Sequence, residues 1–330
     1  MKAAFINEPG PADSIIYGDL NDPQPAAGQA LVRVGAVSVN PIDTYIRAGM
    51  VPMELPKPFI VGSDLAGTVT AVGEAVSDLS VGDRVWCSNQ GLMGRQGTFS
   101  ELACIDAQWL HRTPDPVKDE DVAAIALVGI TSHIGLVYRA RLQADDTVFV
   151  NGGSGGIGSM VIQIAKAIGA RVVATAGSAE RAEKCRTLGA DLTINYRTED
   201  VAAAVSEFAP EGVDVFWETR RDADFENTIP LLAQRGRYIV MAGREARPTF
   251  PVGPFYVKDC ELHGFAMFNY SAAEQQQSGK DLHNWLTTGQ LKANIDRVLP
   301  LSDAGAAHKL QEENTIGLAG TLAGKIVLKP

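Results

Sequence analysis

Residues 147–159 read Thr147-Val148-Phe149-Val150-Asn151-Gly152-Gly153-Ser154-Gly155-Gly156-Ile157-Gly158-Ser159. Thr147 to Val150 has the composition of a short apolar strand, and Ser159 to Ile168 predicts a helix with Met160, Ile164 and Ile168 on one stripe. Between them, Gly153-x-Gly155-x-x-Gly158 satisfies the dinucleotide fingerprint in its strand–turn–helix setting. The first glycine permits the tight turn, the second lets the backbone approach a pyrophosphate, and the third lets helix and strand pack closely. The helix N-terminus then offers free N–H groups and a positive dipole end to phosphate. Gly153, Ser154, Gly155, Gly156, Ile157 and Gly158 are therefore candidate cofactor-binding residues. Ser154 as a nucleophile fails, because no His/Asp partners are placed for it.

A site for the unphosphorylated dinucleotide wants Asp or Glu about 20 residues further on, to bind the ribose 2′-hydroxyl. That region reads Ala174-Thr175-Ala176-Gly177-Ser178, with no acid, and Arg181 follows one helical turn later. A small, uncharged strand end at Gly177 and Ser178 beside an arginine admits a 2′-phosphate, which points to NADPH. Arg181 also fits a plain solvated helix position.

Outward from this loop the chain alternates strand and helix. Arg171 to Ala176, Leu192 to Asn195, Val213 to Trp217 and Arg237 to Met241 read as strands, and Ser178 to Leu188 as a helix closed by Gly189. Such alternation forces parallel strands with right-handed crossovers, a doubly wound α/β sheet. The first hundred or so residues are instead β-rich. Ala30 to Val39, Ala66 to Val72 and Asp83 to Cys87 are separated by Gly, Pro and Asp turns. One helix interrupts them at Asn40-Pro41-Ile42-Asp43, with a capping side chain, a proline at the first position and a carboxylate at the third. After about Leu262 the pattern loosens, ending in the strand-like Gly324-Lys325-Ile326-Val327-Leu328.

Composition narrows the classes. The 330 residues are 45% hydrophobic and 21% charged, with a net charge of −10, so the expectation is a two-domain globular protein. No Lys/Arg run offers a nucleic-acid footprint. No signal peptide is read at the N-terminus and no run of about 18 apolar residues is found, so no membrane span is expected and cytoplasm is the default address. The four cysteines are far apart and read as free thiols.

Several segments together resemble the zeta-crystallin-like quinone oxidoreductases, zinc-independent members of the medium-chain dehydrogenase/reductase superfamily. They are Val39 to Gly49, Val61 to Gly67, Val81 to Val85, Gly153 to Gly158, Gln163 to Lys166, Leu188 to Ala190 and Ile194 to Arg197. The resemblance implies a GroES-like β-barrel catalytic domain over 1–121 and 263–330, with an inserted Rossmann NADPH-binding domain over 122–262 and the active cleft between them. It implies hydride transfer from NADPH to a small-molecule quinone or activated alkene, and a homodimer. It puts Arg181 and Tyr196 around the 2′-phosphate and adenosine, and Asn40 and Thr131 near the nicotinamide. Gly243-Arg244 and Phe268-Asn269 match segments lining the cofactor in relatives, although either pair also reads as a loop. Tyr45 or a water is the candidate proton donor, with Asn40 and Asp43 beside Tyr45 in the catalytic set, and these two are also explained as helix-capping residues.

Zinc-containing relatives carry a cysteine near position 40, Gly-His-Glu where this chain has Gly62-Ser63-Asp64, and a four-cysteine lobe, none of which is present. No metal site is expected. His111, His133, His263, His283 and His308 are scattered and read as surface or helix residues. Two departures weaken the substrate assignment. No tyrosine follows Gly49-Met50-Val51-Pro52, and after Val213 to Trp217 the chain has Glu218-Thr219-Arg220-Arg221 in place of small residues. Those arginines read either as groups near the pyrophosphate or as a solvated loop pair. The alternatives to quinone reduction are an enone or enal double-bond reductase and an NADPH-binding structural or regulatory protein with little turnover.

Overall fold

The computed structural model describes residues 1–330, which separate into two compact units, Met1–Ile130 with Tyr270–Pro330, and Thr131–Asn269. The chain opens with β1 (Lys2–Ile6), β2 (Ile16–Asp19) and the long β3 (Gln29–Val39), followed by helix α1 (Pro41–Arg47). Then come β4 (Phe59–Ile60), β5 (Asp64–Val72), β6 (Arg84–Cys87), β7 (Leu102–Asp106) and β8 (His111–Arg112). Their alternating buried residues, such as Ala30, Val32 and Val34 on β3, face one core.

Helix α2 (Asp119–His133) runs on through a π-helical turn, Ile134–Arg139. The division between the two units after Ile130 falls inside this continuous helix. The expectation that no segment is long and apolar enough to cross a membrane needs correcting. Asp119–Arg139 passes by length and composition despite the polar Thr131, Ser132 and His133, and 83% of its apolar window is buried inside the fold, as in a core helix.

The second unit begins with β9 (Thr147–Asn151), α3 (Gly156–Ile168), β10 (Arg171–Ala176), α4 (Ala179–Thr187), β11 (Leu192–Asn195) and α5 (Val201–Phe208). It continues through β12 (Val213–Glu218), α6 (Phe225–Thr228), β13 (Leu232–Val240), α7 (Val252–Val257) and β14 (Glu261–Gly264). The six strands form one parallel sheet in the order β11-β10-β9-β12-β13-β14. The order reverses at β9, so the topological switch point lies between β9 and β12. Phe149, Phe216 and Tyr238 stack across β9, β12 and β13 with centroids 4.6 Å apart, forming a ladder at the centre of this core.

The chain then returns to the first unit with α8 (Ala272–Thr287), β15 (Ile295–Pro300), α9 (Ala304–Thr315) and β16 (Lys325–Lys329). β16 pairs antiparallel with β3, completing the seven-stranded sheet β15-β16-β3-β5-β6-β8, with β7 also on β3. Ser271 and Glu274 form a capping box on α8. All four cysteines are free; Cys87 and Cys185 are buried, and Cys104 and Cys260 half-buried. The histidine expectation fails for His111, which is a buried strand residue against Trp86, 4.5 Å between centroids. His133 and His308 are helical, as read, but fully buried.

Candidate functional site

The glycine loop is held by hydrogen bonds that its own sequence supplies. Gly152 N donates to Thr175 Oγ1 (2.9 Å), Gly153 N to the Thr175 carbonyl (2.9 Å), and Thr175 Oγ1 in turn to Asn151 Oδ1 (2.8 Å). Gly152 has φ +89°, the left-handed region that suits glycine. A Cβ on Gly158 would fall on the Gly152 carbonyl oxygen, and one on Gly153 would lie 2.9 Å from Cys185 Sγ and Ile162 Cδ1. Those two glycines are thus explained by packing. Gly155 is different, because a Cβ there would meet only the Gly152 carbonyl oxygen at 3.8 Å. Local packing does not require glycine at 155, so a requirement there comes from what approaches the loop.

Gly155 caps α3 with no side chain, which leaves the N–H groups of Gly156, Ile157 and Gly158 pointing out of the first turn. The helix starts three residues before the expected Ser159, because the second half of the glycine motif is already helical. Ser154 is buried beside them, and Ile157 half-buried.

At the ends of β10 and β11, Gly177, Ser178, Arg181 and Tyr196 come together. Ser178 Oγ accepts from Arg181 N (3.3 Å) and caps α4. Tyr196 N donates to the Ala176 carbonyl, and a Cβ on Gly177 would lie 2.7 Å from Tyr196 Oη. The phenol, 49% exposed, therefore roofs a strand end that carries no acid. Gly243-Arg244 and Phe268-Asn269 follow β13 and β14, on the same carboxyl edge of the sheet. Gly243 has φ +77°, and a Cβ there would strike the Arg221 carbonyl, so close backbone approach explains it. Phe268 and Asn269 sit on a 3-10 turn over Met267–Asn269. Thr131 is 2% exposed and its hydroxyl has no hydrogen-bond partner, a buried group still to be satisfied.

Beneath the loop lies a carboxylate that the sequence flagged only as a departure. Glu218 is 1% exposed and accepts from Asn151 Nδ2 (2.9 and 3.1 Å) and Arg220 N (2.7 Å). Burial raises its pKa against the pull of these donors.

In the first unit, Asn40 and Asp43 belong to a buried polar network. Asn40 N donates to Asp43 Oδ2 (2.8 Å), so Asp43 caps α1 as expected. The Asn40 carboxamide does other work, donating to Asp64 Oδ2 (2.8 Å) and accepting from Lys325 Nζ. Ser38 also donates to Asp64 (2.9 Å), Ser63 donates to Asp43, and Lys325 donates to the Val39 carbonyl (2.8 Å). All of these side chains are 5% exposed or less. Burial pushes Asp43 up to about 7 and raises Asp64, while it lowers Lys325. Ser38, Ser63, Asp64 and Lys325 are the members that sequence reading did not assign to the site; for Lys325, a lone lysine heading an apolar strand was the only signal. Tyr45, on α1, is half-buried. No three or more His, Cys, Asp or Glu side chains are grouped to hold a metal ion.

Comparisons with known proteins agree with this architecture. Residues 26–115 match the alcohol dehydrogenase GroES-like domain, and residues 156–284 match the zinc-binding dehydrogenase family. Quinone oxidoreductase of Pongo abelii is 31% identical over 99% of this chain and 97% of its own. The 2-haloacrylate reductase of a Burkholderia species is 30% identical over 96% and 97%. Among solved structures, Escherichia coli quinone oxidoreductase complexed with NADPH covers 100% of both chains at 26% identity, with a TM-score of 0.85. A GroES-like domain joined to a doubly wound dinucleotide-binding sheet defines the medium-chain dehydrogenase/reductases. Within that class, this chain belongs to the zeta-crystallin-like quinone oxidoreductases, a family of oxidoreductase enzymes.

Proposed function

We propose that the protein is a metal-independent reductase that moves a hydride from NADPH to a quinone. The observation that carries this reading is the strand end Ala176-Gly177-Ser178. It is acid-free, roofed by Tyr196 and followed by Arg181, so it accepts a 2′-phosphate and offers no acceptor to a bare ribose. The other residues fit the same group. Gly155 leaves room for a pyrophosphate beside Gly153 and Ser154, and Gly156, Ile157 and Gly158 supply its donors. Thr131 has a free hydroxyl for a nicotinamide carboxamide. Gly243, Arg244, Phe268 and Asn269 line the far end of the same edge. When bound, NADPH supplies the hydride.

The protein's part is to orient the acceptor, exclude water and provide one proton. Tyr45 is the proposed proton donor, because Asn40 and Asp43 are occupied within their own buried network. Asn40 then acts by fixing the start of α1, which carries Tyr45. A quinone takes up negative charge on its own oxygens, so the reaction does not require a metal to polarise the acceptor. The buried side chains Asn40, Ser63 and Asp64 are consistent with that. The 2-haloacrylate reductase relative favours a second reading, in which the acceptor is an activated alkene. A homodimer is proposed through β14, an edge strand that carries the exposed Leu262.

An acceptor screen with purified protein tests the activity. NADPH oxidation should be faster with ortho- or para-quinones than with enones or 2-haloacrylates, and unchanged by chelators. Turnover on alkenes alone would establish the second reading. NADPH binding with no turnover on any acceptor would establish a binding protein, and activity lost together with bound zinc would overturn metal independence.

A further inference from the structure

Arg220 stands at the switch point, on the lip of the crevice opposite the glycine loop. The two strands bordering that crevice are β9, which ends at Asn151, and β12, which ends at Glu218, and these two residues are paired in register. Ligands of open α/β sheets bind outside the carboxyl ends of the strands at this point. Thr219 joins the two lips directly, its hydroxyl and N–H donating to the Asn151 carbonyl at 2.5 and 3.3 Å. Glu218 then locks the next residue by accepting Arg220 N, and is itself held by Asn151 and Tyr238. The backbone that carries the Arg220 side chain is therefore fixed relative to the glycine loop.

The guanidinium is only loosely committed. Its partner is Asp222, two residues on, through Nε (3.1 Å) and Nη2 (2.6 Å), with side chains 53% and 71% exposed. Exposed pairs of this kind contribute little, because water screens them and both side chains lose freedom in making them. A bidentate arginine–phosphate contact is charge-assisted and stronger, so exchanging partners is favourable.

We propose that Arg220 is a cofactor clamp that leaves Asp222 to bind the dinucleotide's diphosphate, with Asp222 as the competing anion that weakens binding. This rests on the dinucleotide reading of the site but not on the identity of the acceptor. It assigns the two arginines different duties: Arg181 distinguishes the 2′-phosphate, whereas Arg220 serves the part that NADPH and NADH share.

Binding titrations of the full chain with NADPH and with NADH, at two salt concentrations, test it on wild type, Arg220→Ala, Arg220→Lys and Asp222→Asn. Arg220→Ala should weaken both dinucleotides by the same factor, about tenfold, and flatten the salt dependence. Arg220→Lys should fall between it and wild type, and Asp222→Asn should bind both more tightly than wild type. The melting temperature of the ligand-free variants should stay close to wild type. Unchanged affinity in Arg220→Ala, or a loss confined to NADPH, overturns the proposal. If Arg220→Ala does not fold, Asp222→Asn decides it, and affinity equal to or weaker than wild type refutes the competing-anion role and the clamp with it. Wild type that binds neither dinucleotide overturns the underlying reading as well.

Discussion

Around Gly152–Gly158 the polar groups facing outward belong mostly to the backbone, the one buried carboxylate beneath them, Glu218, is held by Asn151 and Arg220 N, and Arg220 itself reaches solvent. Around Asn40 the arrangement is inverted: two carboxyl groups and an ammonium are fully buried, with the Asn40 carboxamide between Asp64 and Lys325. The first arrangement leaves donors unsatisfied for a ligand to complete. The second satisfies nearly all of its own groups and leaves little for a ligand. Unsatisfied polarity marks a place to bind, and satisfied buried polarity marks a place that holds shape.

The largest expected effect breaks the buried side of this contrast. Lys325→Met strands two carboxyl groups without their cation and should destabilise the protein by about 3–5 kcal/mol at pH 8. Both acids have raised pKa values, so they protonate readily and the deficit should shrink at pH 5. Thermal unfolding at the two pH values measures this, and an equal loss at both would show that packing, not charge, is at stake.

On the ligand side, Arg181→Ala should weaken NADPH binding by about 1.5–3 kcal/mol, roughly ten- to a hundredfold, and leave NADH nearly unchanged. Gly177→Asp sharpens the point, because it repels the phosphate and also displaces the Tyr196 hydroxyl, which would lie 2.7 Å from the new Cβ. Dissociation constants for both dinucleotides at one salt concentration check it. Equal weakening of the two by Arg181→Ala would remove this arginine from the phosphate site.

Next come the glycines. Gly158→Ala should lower stability by about 1–3 kcal/mol through collision with the Gly152 carbonyl. Gly155→Ala should leave the melting temperature nearly unchanged and still weaken NADPH binding. If Gly155→Ala binds normally, the open space at 155 is incidental.

The smallest effects are slopes against pH, each group contributing up to about 1.4 kcal/mol per pH unit. Burial lowers His308 to about 3 and His111 to about 4. The unfolded chain therefore binds more protons than the folded one below about 6.5. Stability from these groups is present above that pH and lost as pH falls toward 3. Asp43, raised to about 7, acts oppositely: its contribution is fully present below about 4 and lost as pH rises to 7. Asp43→Asn should remove one of the contributions opposing the histidines, so that stability rises more, or falls less, from pH 4 to 6.5 than in wild type, where Asp64 and Glu218 also oppose them. A profile unchanged by Asp43→Asn would contradict its burial as a carboxyl group.

What the sequence makes legible follows from how local each feature is. β9, the glycine loop and α3 are contiguous, and the two packing glycines, Gly153 and Gly158, answer to neighbours within a few tens of residues. β10 and β11 lie where they are expected. β13 begins at Leu232, five residues before the expected Arg237, because Arg235 takes φ +60° and the register with β12 shifts there, a kink that periodicity does not reveal. Helices α8 and α9 go unread because their buried positions include Gln275, Ser278, His308 and Gln311, which break any apolar stripe. The Asn40–Lys325 contact joins residues 285 apart, beyond the reach of any local pattern.

That separation has a consequence for biosynthesis. Asn40 and Asp64 emerge from the ribosome early, but their cationic partner is translated 285 residues after Asn40. At about 5–20 residues per second, the wait is roughly 15 to 60 s. During that interval the nucleotide-binding unit, Thr131–Asn269, has emerged whole while the barrel still lacks β16. The portion of the chain made first is therefore the last to finish folding, and its closing strand delivers the charge that lets it do so.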